Sequence, residues 1–283
     1  MAIQFSFALD RPQTALLGYA LKAPVNRYPL VLPRVDPDQD RRRHALAVAL
    51  DLLGEQRLLS RGAVNPHVQT AFSMFGGCRV EAALTGVKED GTQFRALGLS
   101  DGRQALVVSQ VDGDDEVGFR LLSDDDWIDE LATAAPKMPA GPGRELVIEE
   151  DVVLPAPRSA FAARRAEKAA ADERETRSYE QEPVMSMVRA PNNLFHGRTH
   201  TDRDAATTVL SRERLGSGRV TVTGYGRRRA RSATTGPIAW FDSAYGRYLL
   251  CSTTDDARIT LRLRPGGTSA LAAAIRDAVG VVY

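Results

Sequence analysis

The sequence predicts an α+β fold: a central antiparallel β-sheet built from two meander-plus-helix halves related by a pseudo-twofold axis, with flanking helices. Three observations predict it. Over residues 79–122 and again over 219–263, apolar residues recur at every second position in short runs separated by acidic or glycine-containing turns. Each series closes on a helix-forming segment, and Gly102-Arg103-Gln104-Ala105-Leu106 is echoed by Gly246-Arg247-Tyr248-Leu249-Leu250. Ahead of the first series, apolar residues instead recur at helical spacing.

Taken in order, residues 3–9 read as a first strand. Asp36-Pro37-Asp38-Gln39 has the chemistry of a helix start: Asp36 can accept the free amides, Pro37 suits the first helical position and Gln39 can close a capping box. Leu46, Ala49, Leu50 and Leu53 then mark one face, and Gly62 ends the segment. Asn65-Pro66 opens a second helix, with Val68, Ala71, Phe72 and Phe75 on its apolar face and Gly76-Gly77 as its stop. Two helices are therefore expected before the first long β region. There Val80, Ala82 and Leu84 alternate with polar or small neighbours, Lys88-Glu89-Asp90-Gly91 turns the chain, and strands follow over 94–99, 105–111 and 117–122. Ser123-Asp124-Asp125-Asp126 then caps a helix whose positive end suits three carboxylates.

In the second half, 219–223 alternates like 79–83, residues 225–232 take the place of the first turn, and 238–241 correspond to 94–97. A strand over 258–263 and a helix over 268–279 complete the copy. The chain is accordingly read as one domain over 1–283: an N-terminal half at 1–135, a linker and helical region at 136–215, and a C-terminal half at 216–283. Residues 136–143 contain five residues of proline or glycine type that exclude a helix or a central strand. A strand is expected over 146–154, and a charged, alanine-rich helix over 158–182 with little apolar surface to dock it. Mobility is expected around 190–200, and a short helix over 202–210.

Composition narrows the function. Of the residues, 43% are hydrophobic and 26% charged, ordinary for a globular chain. Lys and Arg number 37 against 36 Asp and Glu, a formal charge of +1, far from the basic excess that neutralising many phosphates requires. Nucleic acid is therefore not the expected main partner. Cys78 and Cys251 lie far apart without ligand spacing, which fits a reducing compartment. The start lacks a basic, export-type leader and no run of 18 or more apolar residues occurs, so a cytosolic protein without a membrane span is expected.

The motifs of catalysis do not assemble, so no cofactor and no enzymatic activity are expected. Gly216-Ser217-Gly218 and Gly224-Tyr225-Gly226 bracket a strand as turn glycines, whereas a dinucleotide fingerprint follows a strand and opens a helix. His196 and His200 are four apart but span Gly197 without a suitably placed Glu, and so read as loop residues; His44 and His67 read as helix-surface residues. Asp124, Asp125 and Asp126 lack calcium-loop spacing. Arg227, Arg228, Arg229 and Arg231 form the one concentrated basic run, read as a solvated hairpin tip or, in the alternative, as a non-catalytic module for an anion or nucleic acid.

The second half resembles the EspG family of type VII (ESX) secretion, through Gly216-Ser217-Gly218-Arg219, the arginine-rich run, Pro237-Ile238-Ala239-Trp240-Phe241-Asp242 and Gly246-Arg247-Tyr248-Leu249. Tyr245 stands where the family commonly has an acidic residue, a departure that touches a turn. The first half agrees through its helix pair and the meander over 91–122. The resemblance implies a cytosolic chaperone that binds the PPE subunit at the tip of a PE–PPE heterodimer before export. It also implies contact through the loop after the first long strand, here Val87, Lys88, Glu89, Asp90 and Gly91; the same five residues also read as an ordinary hairpin turn. Whether the free chain forms a homodimer stays open at this stage.

Overall fold

The structure is a computed structural model that describes residues 3–60, 63–151, 200–226, 231–254 and 258–283. One eleven-stranded antiparallel sheet runs through both halves of the chain, with six helices among the described residues. Strand β1 (Ile3–Asp10) leads into α1 (Arg11–Ala20), followed by α2 (Gln39–Glu55), a two-stranded ribbon of β2 (Leu59–Ser60) and β3 (Ala63–Val64), and α3 (Pro66–Gly77). The first meander is β4 (Val80–Lys88), β5 (Gln93–Ser100), β6 (Gln104–Val111) and β7 (Glu116–Ser123), closed by α4 (Trp127–Ala132). Then come β8 (Leu146–Asp151), α5 (His200–Leu210), β9 (Gly216–Tyr225), β10 (Arg231–Thr234), β11 (Ile238–Ser243), β12 (Gly246–Thr254), β13 (Arg258–Pro265) and α6 (Thr268–Val282).

The strand order β1-β7-β6-β5-β4-β9-β11-β12-β13-β8 is a palindrome of the two halves, with β10 also on β9. The halves meet at β4 and β9, which pair antiparallel from Val80↔Gly224 to Lys88↔Gly216, with Leu84↔Val220 in the middle. Each half thus contributes an edge strand, one or more helices, a four-strand meander and a closing helix. One face is covered by α4 and α6, whose Trp127, Leu131, Leu271 and Ile275 share a core with Val80, Ala82, Leu84, Val220, Val222 and Trp240. On the other face, α1 to α3 cover the N-terminal half through Leu17, Leu53, Phe72 and Phe75, and α5 places Ala206 over Ala239, Phe241 and Tyr248.

Several boundaries move from the expected places, each for a local reason. A helix absent from the sequence reading, α1, starts at a capping box: Gln13 N donates to Asp10 Oδ1 at 2.6 Å and Asp10 N donates to Gln13 Oε1 at 3.1 Å. Three helices therefore precede β4, not two. Helix α2 is capped by Asp38, which accepts from Asp40 N and Arg41 N at 3.0 Å, while Asp36 accepts from Asp38 N. Its end comes at Glu55, where Arg57 takes a left-handed φ of 59° and turns the chain into the β2–β3 ribbon. Ser123 does not cap α4 directly: its hydroxyl donates to Asp126 at 2.9 Å, and the helix starts at Trp127.

Gly216, Ser217, Gly218 and Gly224 are not turn residues but lie within β9. Gly218 is needed there for space, because a Cβ would sit 2.2 Å from the Trp240 ring and 2.5 Å from the Thr85 carbonyl. The first turn of the second half is also shorter than expected, since β10 is already paired with β9 at Arg231↔Tyr225. Strands β10 and β11 are one strand interrupted around Pro237, which has no N–H to give the ladder. Ser100 pairs with Ala105 and Trp240 with Leu249, each partner being the third residue after its left-handed glycine, Gly102 or Gly246. Residues 238–241 therefore lie level with 98–101 rather than with 94–97.

The segment at 136–143 is pinned rather than free. Arg247 N donates to Pro139 O at 2.8 Å and Gly141 N to Arg247 O at 2.9 Å, forming an isolated bridge at Ala140. Helix α5 begins at His200. The helix expected over 158–182, the mobile stretch at 190–199 and His196 lie outside the described residues.

Candidate partner-binding site

Strand β4 sits at the centre of the sheet, and its C-terminal end projects the five residues Val87, Lys88, Glu89, Asp90 and Gly91. Val87 is flanked by Gln93 on β5 and Ser217 on β9, yet its side chain is 40% exposed. Beyond it the chain turns tightly. Lys88 N donates to Thr92 O at 2.9 Å, Gly91 N donates to Lys88 O at 3.0 Å, and Gly91 takes φ +82°. This is a three-residue hairpin loop with a left-handed glycine in its last place. Thr92 N donates to Asp90 Oδ1 at 2.8 Å, and that backbone bond, with help from the Thr92 hydroxyl, holds the Asp90 carboxyl below the usual carboxylate range. Residues 88–91 are all exposed. The structure thus brings the five residues together as a rigid tip, and the hairpin-turn reading describes its backbone.

Alternation along β4 and β9 places Thr85, Val87, Ser217 and Arg219 on the face that carries α1 to α3. Arg219 Nη2 donates to the Tyr28 hydroxyl at 3.1 Å, so the chain between α1 and α2 reaches this point. Val31, 47% exposed, is fixed over β6 by two 2.9 Å hydrogen bonds between its backbone and the Gln110 amide. Next to β4, Arg95 is buried and paired with Asp112 and Gln93. The Tyr28–Arg219 contact escaped the sequence reading because it is made by tertiary structure; only the period-two pattern that puts Arg219 on this face was visible in advance.

The basic run is positioned differently. Residues 227–230 lie outside the described residues, but their flanks, Tyr225 and Arg231, are paired with each other at the end of β9 that adjoins Val80. That is the opposite end of β4 from Lys88, so the described flanks of the basic run lie at the rim opposite the tip. Near this rim, Arg27 pairs with Glu81 and lies 5.5 Å from the centroid of the Tyr225 ring. Tyr225 donates to Glu81 at 3.1 Å, and burial, with the Glu81 charge, pushes its phenol up to about 12. Burial likewise raises the Cys78 thiol, 3.4 Å from Arg27. The four groups satisfy one another and tether the 23–30 segment to the sheet. Both Cys78 and Cys251 are free.

Of the motifs that carry the family resemblance, residues 238–242 and 246–249 are interior. Arg247 is fully buried and donates from Nε and Nη2 to Asp242 at 2.6 and 2.8 Å, and from Nη2 to Pro136 O at 2.7 Å. Its guanidinium lies 5.5 Å from the Trp240 ring centroid. Tyr248 donates to Pro142 O and accepts from Arg212, which also covers the exposed Tyr245. His44 and His67 are exposed, and His67 stacks on Phe5. Among the described residues, no three His, Cys, Asp or Glu side chains converge as metal ligands, and no helix is long and apolar enough to cross a membrane.

An antiparallel sheet of two fused meander-plus-helix halves, with a rigid hairpin tip raised from a central strand, defines an α+β protein of duplicated architecture. The model of the EspG family matches residues 12–277, and the chain belongs to that family, an ESX secretion-associated one. No curated protein matches the chain in a comparison of sequences.

Proposed function

We propose that this chain is a non-enzymatic cytosolic chaperone of type VII (ESX) secretion. It binds the PPE subunit at the tip of a PE–PPE heterodimer and keeps the pair soluble until export. The observation that carries this reading is the family match across residues 12–277. The exposed Val87 at the root of the tip supports it: an apolar helical end needs apolar surface to replace its water, at roughly 25 cal/mol per Å² before entropic costs. Co-expression with the PE–PPE pairs of the same genome tests it. A soluble complex with one copy of each protein is expected by size-exclusion chromatography with light scattering. If every pair elutes free of this chain, the chaperone reading is wrong.

A further inference from the structure

The two edges of the sheet are not alike. At β8 the amide of Val147, facing away from β13, is met by the Asp202 carboxylate of α5 at 3.4 Å. At β1 the phase of the ladder is fixed by Arg11, whose N–H donates inward to Asp115 O at 3.0 Å. Leu9 and Phe7, paired with Val117 and Phe119, therefore also bond inward, while Ser6, Ala8 and Asp10 turn their backbone groups outward. Asp10 has partners there, since its N–H donates to Gln13 and its C=O accepts from the Thr14 hydroxyl at 2.9 Å. The outward N–H and C=O groups of Ser6 and Ala8 have no partner among the described residues.

Two cavities meet along those same residues. One, of about 480 Å³, is lined by Phe5, Ser6, Phe7, Ala8 and the 56–58 segment; the other, of about 410 Å³, opens toward Ser109, Gly118 and Arg120. An added strand would direct alternate side chains to the two sides of the sheet, with backbone hydrogen bonds supplying affinity and the two cavities supplying selectivity. We propose that the outer edge of β1 accepts an extended segment of another polypeptide as a further strand of the sheet. The segment has an apolar residue at every second position, to meet Phe5, Phe7 and Leu58, and small polar residues between. A second copy of this chain fits less well, because residues 56–58 wall the same cavity as the edge backbone and a second β1 would have to bring its own wall into that space. Strands β7, β6 and β5 separate this edge from β4, so the inference stands apart from the proposed PPE contact.

The test uses the full chain and a fluorescein-labelled nonapeptide alternating valine with threonine, beside a control peptide carrying central prolines. A saturable rise in anisotropy is expected with the first peptide only. Ala8→Pro removes an outward donor while leaving the β1–β7 ladder intact, and should weaken binding at least about tenfold. In the wild-type chain, the Ser6 and Ala8 amides should exchange rapidly alone and at least about tenfold more slowly with saturating peptide. This measurement decides the matter by itself if the proline variant does not fold. Protection of both amides in the free monomer, undiminished binding by folded Ala8→Pro, or a dimer joined through β1 would each overturn the inference.

Discussion

Gly218 and Gly91 are both glycines in or beside the two central strands, and different physics requires each. At Gly218 the backbone is ordinary, but an added Cβ would meet the Trp240 ring at 2.2 Å and the Thr85 carbonyl at 2.5 Å, and the carbonyl cannot swing aside without breaking a ladder. At Gly91 nothing lies within 4 Å, and only φ +82° resists a side chain. Gly91→Ala should therefore cost about 1 kcal/mol and Gly218→Ala about 3 kcal/mol, read from urea midpoints; equal losses would refute the packing argument. Tyr225 gives a pH prediction. Its folded pKa of about 12 lies above its ordinary value of 10, so between them the folded state holds a proton that the unfolded state releases. The stabilisation is complete below pH 10 and is lost as pH rises toward 12. Wild type should lose stability relative to Tyr225→Phe across that window, and parallel curves for the two proteins would remove the burial account. The buried Arg247–Asp242 pair belongs to the same scale: with Arg247 fully enclosed, removing either partner leaves an uncompensated charge.

Elements with a period and a turn of known chemistry were legible in the sequence. All four strands of the first meander, the β4–β5 turn at Asp90-Gly91, α3 behind Asn65-Pro66 and α6 fall close to where alternation and caps place them. Elements defined by contact were not. Gly216-Ser217-Gly218 reads as a turn until Trp240 is laid across it, and the interruption at Pro237 hides β10 as part of a strand. Helix α1 is a different case, since its Asp10-Arg11-Pro12-Gln13 start was present in the sequence, directly after the strand read over 3–9, and was given no element. For the candidate site, the five residues of the tip were legible, but the Arg219–Tyr28 contact beside it needed the path of the 23–37 segment. The tip and the described flanks of the arginine run are on opposite rims, so the two can be tested separately. Replacing Glu89-Asp90-Gly91 by Asn-Gly keeps Lys88 and Thr92 at the ends of the hairpin and should abolish PE–PPE binding without changing the circular dichroism spectrum. Replacing Arg227, Arg228, Arg229 and Arg231 together by Ser should weaken binding by less than about tenfold, or 1.4 kcal/mol. Calorimetry that found the opposite ranking would move the site to the other rim.

At the scale of the molecule, the two halves share one interior rather than abutting as two. The β4–β9 junction is a nine-pair ladder, and the core beneath α4 and α6 draws Val80, Ala82 and Leu84 from one half and Val220, Val222 and Ile275 from the other. Separating the halves would expose a long central strand edge on each and open that core, so neither half gains much by folding without its twin. The two tryptophans are placed to report this. Trp127 opens α4 of the first half and packs where Gly98 leaves room; Trp240, on β11 of the second, packs where Gly218 does. Both are 1% exposed in the same core. Single-tryptophan variants, Trp127→Phe and Trp240→Phe, should each unfold in urea with a fluorescence transition that coincides with that protein's own circular dichroism transition, as a single cooperative unit requires. If the lone tryptophan of one variant reddens before the ellipticity changes while the other keeps step, the halves unfold in sequence, and the twofold junction is a hinge between units instead of the centre of one.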